Sequence, residues 1–251
     1  MYQFFVDDAQ IGREFVTITG EDVNHIKNVL RMKCGEDVWI SDGGEKEYHC
    51  RIEELGDDEV LLHILYAQEP KYELPNKIYL FQGLPKNDKM ELIIQKAVEL
   101  GVYEIIPVAM KNCVVKLDAK KAAAKTARWQ GIAESAAKQS KRSLIPKVSE
   151  PVSYKEAVAY AMKLDQKLVP YENERGMAAT REAVEAVRPG ESIGIFIGPE
   201  GGFAPEEIEA VKGEMKLISL GSRILRTETA GFTTLAILMY HIETSCPEKS
   251  N

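Results

Sequence analysis

The chain has 251 residues, of which 45% are hydrophobic and 28% charged, so it can build one large globular domain or two smaller ones without disulfide support. Its net charge of −7 argues against a protein that binds nucleic acid over its whole surface. The four cysteines form no Cys-x-x-Cys pair, the first residues carry no signal pattern, and no apolar run is long enough for a bilayer. These features predict a cytoplasmic protein with no disulfide framework, no metal site and no membrane partner.

Residues 1–73 have the pattern of a small β-rich domain. One helix is predicted from Glu21 to Met32, where apolar residues recur at helical spacing. It interrupts five short runs of β-type composition, which are Tyr2–Val6, Glu14–Ile18, Asp37–Ile40, Glu47–Glu53 and Val60–Tyr66. Five strands and one helix indicate a small barrel, and residues 70–75 have the composition of a linker.

Residues 74–251 alternate between strand and helix. The predicted strands are Ile78–Phe81, Ile105–Val108, Lys167–Pro170, Ile193–Ile197 and Leu217–Leu220. Helices are predicted at Asp88–Leu100, Asp118–Lys141, Tyr154–Met162 and Ala178–Val187, and one after each of the last two strands. Apolar β-runs that alternate with helices are typical of a parallel sheet covered on both faces, so this second domain is predicted to be α/β.

Charge is distributed unevenly between the two predicted domains. Residues 1–73 carry 7 basic and 17 acidic side chains, whereas residues 74–251 carry 25 and 22. Within the second part, residues 111–147 hold ten basic side chains against only Asp118 and Glu134. Such a segment either attracts phosphates or is a solvated helix face, and charge alone does not distinguish the two.

Two glycine-bearing loops each follow an apolar strand near the end of the chain. The first covers residues 198–203 and the second residues 221–226. Ligands bind at the carboxyl ends of strands in an open α/β sheet, so the pair predicts a binding site. Neither the dinucleotide fingerprint nor a P-loop is present, and Glu206 and Glu207 open the next helix, which disfavours phosphate there. The first loop therefore suits a ligand with a positive centre or neutral polar groups, unless it is simply a turn.

In the second loop, Arg223 and Arg226 flank the apolar pair Ile224-Leu225. The apolar pair could form the wall of a pocket for an aromatic ring, and the arginines could orient a phosphate or a carbonyl. Alternatively, the arginines pair with Glu200 or Glu228 and hold the loops together. The two roles are compatible.

Together these loops resemble the signature of the RsmE family, bacterial enzymes that make 3-methyluridine in 16S ribosomal RNA. The likeness rests on Gly198-Pro199-Glu200-Gly201-Gly202-Phe203 and on Leu220-Gly221-x-Arg223-Ile224-Leu225-Arg226-Thr227-Glu228-Thr229-Ala230. It extends to Leu84-Pro85-Lys86-x-Asp88-Lys89-Met90, Gln95-Lys96-Ala97-x-Glu99-Leu100-Gly101, Glu134-Ser135-Ala136-Ala137-x-Gln139-Ser140 and His25-Ile26-x-x-Val29-Leu30-Arg31. The resemblance therefore spans nearly the whole chain.

The resemblance implies a SPOUT-class α/β domain with a deep trefoil knot and a parallel sheet at residues 74–251. It implies a small PUA-like β-barrel domain that helps bind RNA at residues 1–73. A homodimer, S-adenosyl-L-methionine as cofactor and the 16S rRNA of the small ribosomal subunit as partner follow from the same likeness.

Site residues are carried over by position. The implied cofactor-binding residues are Glu172, Gly198, Pro199, Glu200, Gly201, Leu220, Gly221, Ile224, Leu225 and Arg226. Arg226 is the candidate cation for a uracil anion, and Glu200 and Glu228 are the candidate bases for the N3 proton. The implied RNA contacts are Lys27, Arg31, Lys33, Lys86, Lys89, Gln139 and Arg142. Because residues 1–73 are strongly acidic, we expect that domain to touch RNA only through the face with Lys27, Arg31 and Lys33.

Two other functions are considered. A related SPOUT ribose 2′-O-methyltransferase would share the knot loops but not the Arg-Ile-Leu-Arg-Thr-Glu-Thr run. A non-catalytic RNA-binding or assembly factor would keep the fold, but the cofactor loops of this chain show no sign of degradation.

Overall fold

A computed structural model of the chain describes residues 1–44 and 46–245 and divides into two compact units. The first unit combines residues 1–73 with residues 137–145, and the second contains residues 74–136 and the chain from residue 146. Residues 137–145 thus join the first unit although the sequence pattern continues the second across them. The cysteines Cys34, Cys50 and Cys113 are free, and Cys246 lies outside the described residues.

The first unit is built on a five-stranded sheet. Its strands are β1 (Gln3–Phe5), β2 (Phe15–Thr19), β3 (Asp37–Ser41), β4 (Glu47–Leu55) and β5 (Glu59–Gln68), in the order β1-β3-β4-β5-β2. The β1–β3 pair is parallel and the others are antiparallel. Alternate residues such as Val38, Ile40 and Ile52 point to one apolar core. All five predicted strands are present, and they form a half-barrel.

The predicted helix at residues 21–32 is shorter and less regular than its apolar spacing suggests. Helix α1 covers Glu21–Asn24 and continues as one π-helical turn, His25–Val29. Ile26 is buried, whereas Val29 is 63% exposed, so only part of the predicted apolar face packs. Arg31 then adopts a left-handed φ of 54°, which returns the buried side chain of Met32 to the core. Tertiary packing of Met32 decides where this helix ends.

The second unit is an α/β layer structure with an all-parallel sheet. Its strands are β6 (Lys77–Gly83), β7 (Glu104–Ala109), β8 (Lys147–Val148), β9 (Val152–Ser153), β10 (Gln166–Pro170), β11 (Ser192–Ile197) and β12 (Lys216–Ile218). Their order is β12-β10-β11-β6-β7-β8, and β9 also pairs with β7. The helices are α2 (Lys89–Glu99), α3 (Ala119–Ser140), α4 (Tyr154–Ala161), α5 (Ala178–Glu185), α6 (Pro205–Glu209) and α7 (Thr227–Ser245). The α/β prediction is confirmed; β8 and β9 were missed because two residues carry no periodicity.

This strand order determines where a site can form. Strands β12, β10, β11 and β6 are neighbours and parallel, so the loops that follow them emerge at one edge of the sheet. In the described part of the chain, no helix is both long and apolar enough to span a bilayer. Those same residues contain no cluster of three His, Cys, Asp or Glu side chains placed to hold a metal ion.

One predicted RNA contact proves to be structural. Arg142 is 3% exposed, and its guanidinium donates to the carboxylate of Glu73. The same carboxylate accepts hydrogen bonds from the backbone N–H groups of Ser143 and Leu144, at 2.9 and 3.1 Å. The prediction that Arg142 contacts phosphate therefore needs correction, because its charge is neutralised inside the first unit.

Replacing Glu73 with Ala should destabilise the first unit by about 3 kcal/mol, because the buried Arg142 guanidinium would lose its counter-charge. Chemical denaturation monitored by circular dichroism measures the change. Glu69→Ala is the matched control, since Glu69 is exposed on the same connecting segment and its loss should cost less than about 0.5 kcal/mol. Equal, small effects of the two substitutions would show that the Arg142 pair contributes nothing to folding.

Candidate functional site

A cavity of about 310 Å³ lies in the second unit, at the edge where β10, β11 and β12 end. Nine of the predicted cofactor-binding residues line it, namely Glu172, Gly198, Pro199, Glu200, Leu220, Gly221, Ile224, Leu225 and Arg226. Gly201, the tenth, is not among the described lining residues; its carbonyl instead accepts a hydrogen bond from Asn112 Nδ2 at 3.0 Å. Gly202 takes its place in the wall. The structure therefore brings the two glycine loops together, as expected.

The path of the first loop requires a glycine at one position within it and at one position in the neighbouring strand β6, because other atoms approach closely there. A Cβ on Gly83, at the end of β6, would lie 2.7 Å from the backbone nitrogen of Pro199. Gly202 has a φ of +67°, and a Cβ there would meet the carboxylate of Glu172 at 3.2 Å. Asn112 holds the loop from outside by donating to the carbonyls of Gly201 and Gly202. The loop is thus pressed against β6 at one end and against Glu172 at the other.

A buried hydroxyl joins the first loop to α7. Thr227 Oγ1 donates to the carbonyl of Gly198 at 2.6 Å and accepts from Gln82 Nε2 at 2.9 Å. Gln82 is fully buried and Thr227 is 6% exposed, so water does not compete for these bonds. Strand β6, the first loop and the start of α7 are therefore fixed relative to one another.

The second loop is anchored where β12 ends. Thr180 Oγ1 donates to the carbonyl of Ser219 at 2.6 Å and accepts from its N–H at 3.0 Å, and both residues are buried. Gly221 follows with a φ of +105°, a conformation that favours glycine. Beyond it, the side chain of Ile224 is 86% exposed at the cavity rim. An apolar side chain in that position is available to pack against a ligand.

The cation at the centre of the site is a lysine. Lys89, in the first turn of α2, places Nζ 3.2 Å from Glu200 Oε1 and 3.3 Å from Glu228 Oε2. The alternative in which Arg223 or Arg226 pairs with these glutamates is wrong: across residues 1–44 and 46–245 neither arginine forms an ion pair, and both are exposed. The role of Lys89 as an RNA phosphate contact also needs correction, because two carboxylates already share its charge.

Glu200 is held by several donors at once. Burial opposes its ionisation, but hydrogen bonds from its own N–H and from the N–H of Lys86, together with the Lys89 ammonium, outweigh burial and lower the pKa of Glu200. The carboxylates act on Lys89 in the opposite direction: its partial desolvation disfavours the charged form, yet Glu200 and Glu228 raise its pKa. Both partners are therefore firmly ionised near neutral pH.

Helix α6 begins as the sequence indicates. Pro205 occupies its first turn, and the buried carboxylate of Glu207 accepts from the N–H groups of Ala204 and Lys111, each at 2.8 Å. A negative side chain thus satisfies donors that would otherwise be open to an anion. This supports a ligand other than a polyphosphate.

The remaining predicted RNA contacts differ in availability. Arg31, Lys33, Lys86 and Gln139 are exposed, whereas Lys27 donates to the carbonyl of Gly56 and lies near Asp57. In the basic segment, ion pairs involve Lys111 with Glu206, Lys121 with Asp118, Arg128 with Glu91 and Lys147 with Glu104. These pairs are mostly solvated, so they leave a positive surface on α3 with part of its charge offset.

Several site residues escaped prediction from sequence, and three of them support the first loop. Gln82, Gly83 and Asn112 support the first loop from strands and turns far away in the chain. For Gln82 and Gly83, the available signal was their position at the end of an apolar strand, directly before the run at residues 84–90, just as the two glycine loops follow apolar strands. Parallel strands with loops at one edge could have brought that run into the site.

Family models match both units. The model of an RNA methyltransferase domain matches residues 72–239, and the model of an RNA methyltransferase PUA domain matches residues 18–65. Ribosomal RNA small subunit methyltransferase E of Bacillus subtilis (strain 168) is 38% identical to this chain over 231 residues, which is 90% of each protein. The protein of the same name from Mesomycoplasma hyopneumoniae (strain 232) is 37% identical and covers 94% of this chain and 97% of its own length.

Among solved structures, a ribosomal RNA small subunit methyltransferase E from Neisseria gonorrhoeae aligns with a TM-score of 0.81. It is 32% identical, and the match covers 96% of this chain and 97% of that one. That protein was crystallised with S-adenosyl methionine bound.

The close approach of Gly83 to Pro199 predicts the effect of adding one methyl group. Gly83→Ala should destabilise the second unit by about 2 kcal/mol, because rigid backbone on both sides must shift. Gly131→Ala is the matched control: that glycine is exposed within α3, and a Cβ there meets nothing within 4 Å. It should stabilise by about 1 kcal/mol through helix propensity. Chemical denaturation of both variants tests the expected opposite signs.

Proposed function

The chain belongs to the family of ribosomal RNA small subunit methyltransferase E, and on that premise we propose that it transfers a methyl group from S-adenosyl-L-methionine to N3 of a uracil in 16S ribosomal RNA. The observation that carries the proposal is the cavity at the carboxyl ends of β10, β11 and β12, into which both family loops converge. Glu200 and Arg226 line this cavity, and Glu228 pairs with Lys89, which also lines it.

The residues present fit the cofactor. A cavity of about 310 Å³ is within the range of small-molecule sites. Leu220, Leu225 and Ile197 supply apolar wall for an adenine ring, and the exposed carboxylate of Glu172 is placed to accept from ribose hydroxyls. Gly198 and Gly202 let the backbone approach without a Cβ in the way. Nothing in this set requires phosphate or metal.

When bound, S-adenosyl-L-methionine supplies a methyl group that is already electrophilic, so the protein need not activate it. The task that remains for this chain's residues is to hold the uracil in line and to take the N3 proton. Positioning alone can lower the activation free energy of methyl transfer by several kcal/mol. The Lys89–Glu200 ion pair and the Thr227 hydrogen bond hold the first loop, and the Thr180–Ser219 hydrogen bonds hold the second, which provides the rigidity that such positioning needs.

Arg226 is the proposed cation for the uracil. It lines the cavity, its side chain is exposed, and the described residues provide it no carboxylate partner. A guanidinium with free N–H donors can stabilise the negative charge that develops on O2 or O4 of the uracil as N3 loses its proton. Because that charge exists only during the reaction, Arg226 should act on turnover more than on binding.

The two candidate bases differ in what already binds them. Glu200 accepts from two backbone N–H groups and from Lys89, so its lone pairs are committed to holding the loop. Glu228 has Lys89 as its one ion-pair partner within the described residues, and its side chain is 15% exposed. We therefore propose that Glu228 is the base that takes the N3 proton and that Glu200 anchors the loop.

The partner is proposed to be 16S rRNA of the small ribosomal subunit. Residues 1–73 act as the PUA-like domain, touching RNA through Lys27, Arg31 and Lys33, and residues 74–251 act as the methyltransferase domain. Lys86, Gln139 and the exposed lysines of α3 add phosphate contacts. A deep trefoil knot, a homodimer and a cytoplasmic location are proposed on the same family membership.

Methylation of ribosomal subunits tests the function directly. Small subunits from a strain that lacks this gene are incubated with the protein and methyl-labelled cofactor, and the rRNA is digested to nucleosides. Label should appear in 3-methyluridine, at about one methyl group per subunit. Label in a 2′-O-methylated nucleoside would overturn the N3 assignment, and no label together with no cofactor binding in calorimetry would indicate a non-catalytic RNA-binding factor.

Arg226→Ala should lower turnover at least about 100-fold while changing the dissociation constant of the cofactor by less than about threefold, since a lost transition-state contact acts on rate. Single-turnover kinetics and isothermal calorimetry measure the two quantities. Arg223→Ala, which removes the other exposed arginine of the same loop, serves as the matched comparison. Equal losses of turnover and cofactor affinity in Arg226→Ala would make Arg226 a pocket-building residue instead.

A further inference from the structure

We propose that Lys89 is a positioning residue, which holds the carboxylates of Glu200 and Glu228 apart and ionised on two sides of its ammonium so that Glu228 can accept a proton. Neither the family motifs nor the sequence pattern assigned Lys89 to the reaction. The inference rests on the proposed function for the identity of the proton donor, but its geometric basis stands independently.

Three elements meet at the Lys89 ammonium. Lys89 lies in the first turn of α2, Glu200 in the loop after β11, and Glu228 in the first turn of α7. Contacts of 3.2 and 3.3 Å to one nitrogen place the two carboxylate oxygens within roughly 6.5 Å of each other. The three side chains are partly shielded from solvent, with exposures of 25% for Lys89, 25% for Glu200 and 15% for Glu228. Solvent therefore screens this cluster only in part.

Two carboxylates at such a separation repel each other when both are ionised, and a cation between them offsets that repulsion. A protonated carboxyl could not take the N3 proton. Lys89 removes that repulsion, and its own pKa is raised by the same two contacts, so it remains charged over the working range.

Other charged groups near the cluster do not replace Lys89. In the segment before α2, Lys86 contributes its backbone N–H to Glu200, while its side chain is exposed. The buried Cys113 thiol contacts the backbone of Met110 and Val108 and is neutral, since burial raises its pKa and the carboxylates of Glu207 and Glu200 add to the effect. At the end of the second loop, Arg226 lines the cavity but forms no ion pair within the described residues. Lys89 is thus the cation that the carboxylates share.

A direct measurement uses no activity. Glutamate labelled with carbon-13 at the carboxyl is incorporated into the full-length protein and titrated by NMR, with Glu200→Gln and Glu228→Gln identifying the signals. In Lys89→Met the titration of the glutamate pair should move up by about one pH unit. Lys96→Met is the matched control, because it removes a lysine that pairs with Glu99 on the same helix and should leave the pair unchanged.

The kinetic consequence follows from the same shift. In Lys89→Met, the acidic limb of the profile of single-turnover rate against pH should move to higher pH by about one unit. The rate at a given pH on that limb should therefore fall about tenfold. Lys89→Arg, which restores a cation, should return the limb towards its original position. Lys89→Gln provides a second neutral variant that keeps a hydrogen-bond donor should the methionine variant fail to fold.

The outcomes separate the possible roles. An unchanged carboxyl titration in a folded neutral variant would overturn the proposal, and so would a rate that falls equally at every pH. A higher KM for RNA with an unmoved acidic limb would make Lys89 a phosphate contact and also overturn it. If the protein proved to methylate a different nucleoside, the NMR titration would still decide whether Lys89 keeps the pair ionised, so the two failures are distinguishable.

Discussion

The site depends on the two buried hydrogen bonds that the hydroxyl of Thr227 makes. It donates to the carbonyl of Gly198 and accepts from the amide of Gln82, so one buried oxygen connects α7, the loop after β11 and the strand β6. Pairing of β11 with β6 already aligns Gln82 with Ile197, and the Thr227 hydroxyl adds the start of α7 to that arrangement. Because the bonds are buried, breaking them would leave polar groups unsatisfied, which makes the arrangement costly to distort. The glycine at position 83 completes the constraint by allowing the two backbones to approach closely.

Charge is organised at two scales. Along the chain, the acidic residues are concentrated in residues 1–73, and ten basic side chains lie in residues 111–147. Within the site, the pattern is finer: Lys89 joins two carboxylates, Glu207 caps α6, and Arg226 is left without a carboxylate in the described chain. Charged side chains that already have an oppositely charged partner stabilise the loops, whereas a cation without such a partner beside a cavity is available to a substrate. The presence or absence of a partner therefore separates the supporting side chains from the candidate reactive ones.

Much of the site was accessible from sequence because its parts are local. Gly198-Pro199-Glu200 and Leu220-Gly221 each follow a strong apolar strand, and parallel strands deliver such loops to one edge. Less was accessible where a residue's role depends on its partner. From the sequence, Arg142 is predicted to contact RNA because it lies in a basic run. In the fold its side chain is buried, and Glu73, about seventy positions earlier, neutralises its charge. Lys89 is likewise predicted to contact RNA, and its true partners come from two other elements.

By itself, the sequence determined the α/β class of the second unit, the five strands of the first, the two loops and their family, because hydrophobic periodicity and short motifs are properties of neighbouring residues. Tertiary structure alone decided that residues 137–145 join the first unit, that the first helix ends in a π-helical turn, and that a lysine rather than an arginine lies between Glu200 and Glu228. The physical reason is the same in each case. Burial and charge pairing depend on which distant segments the fold brings within a few ångströms, and no local pattern encodes that distance.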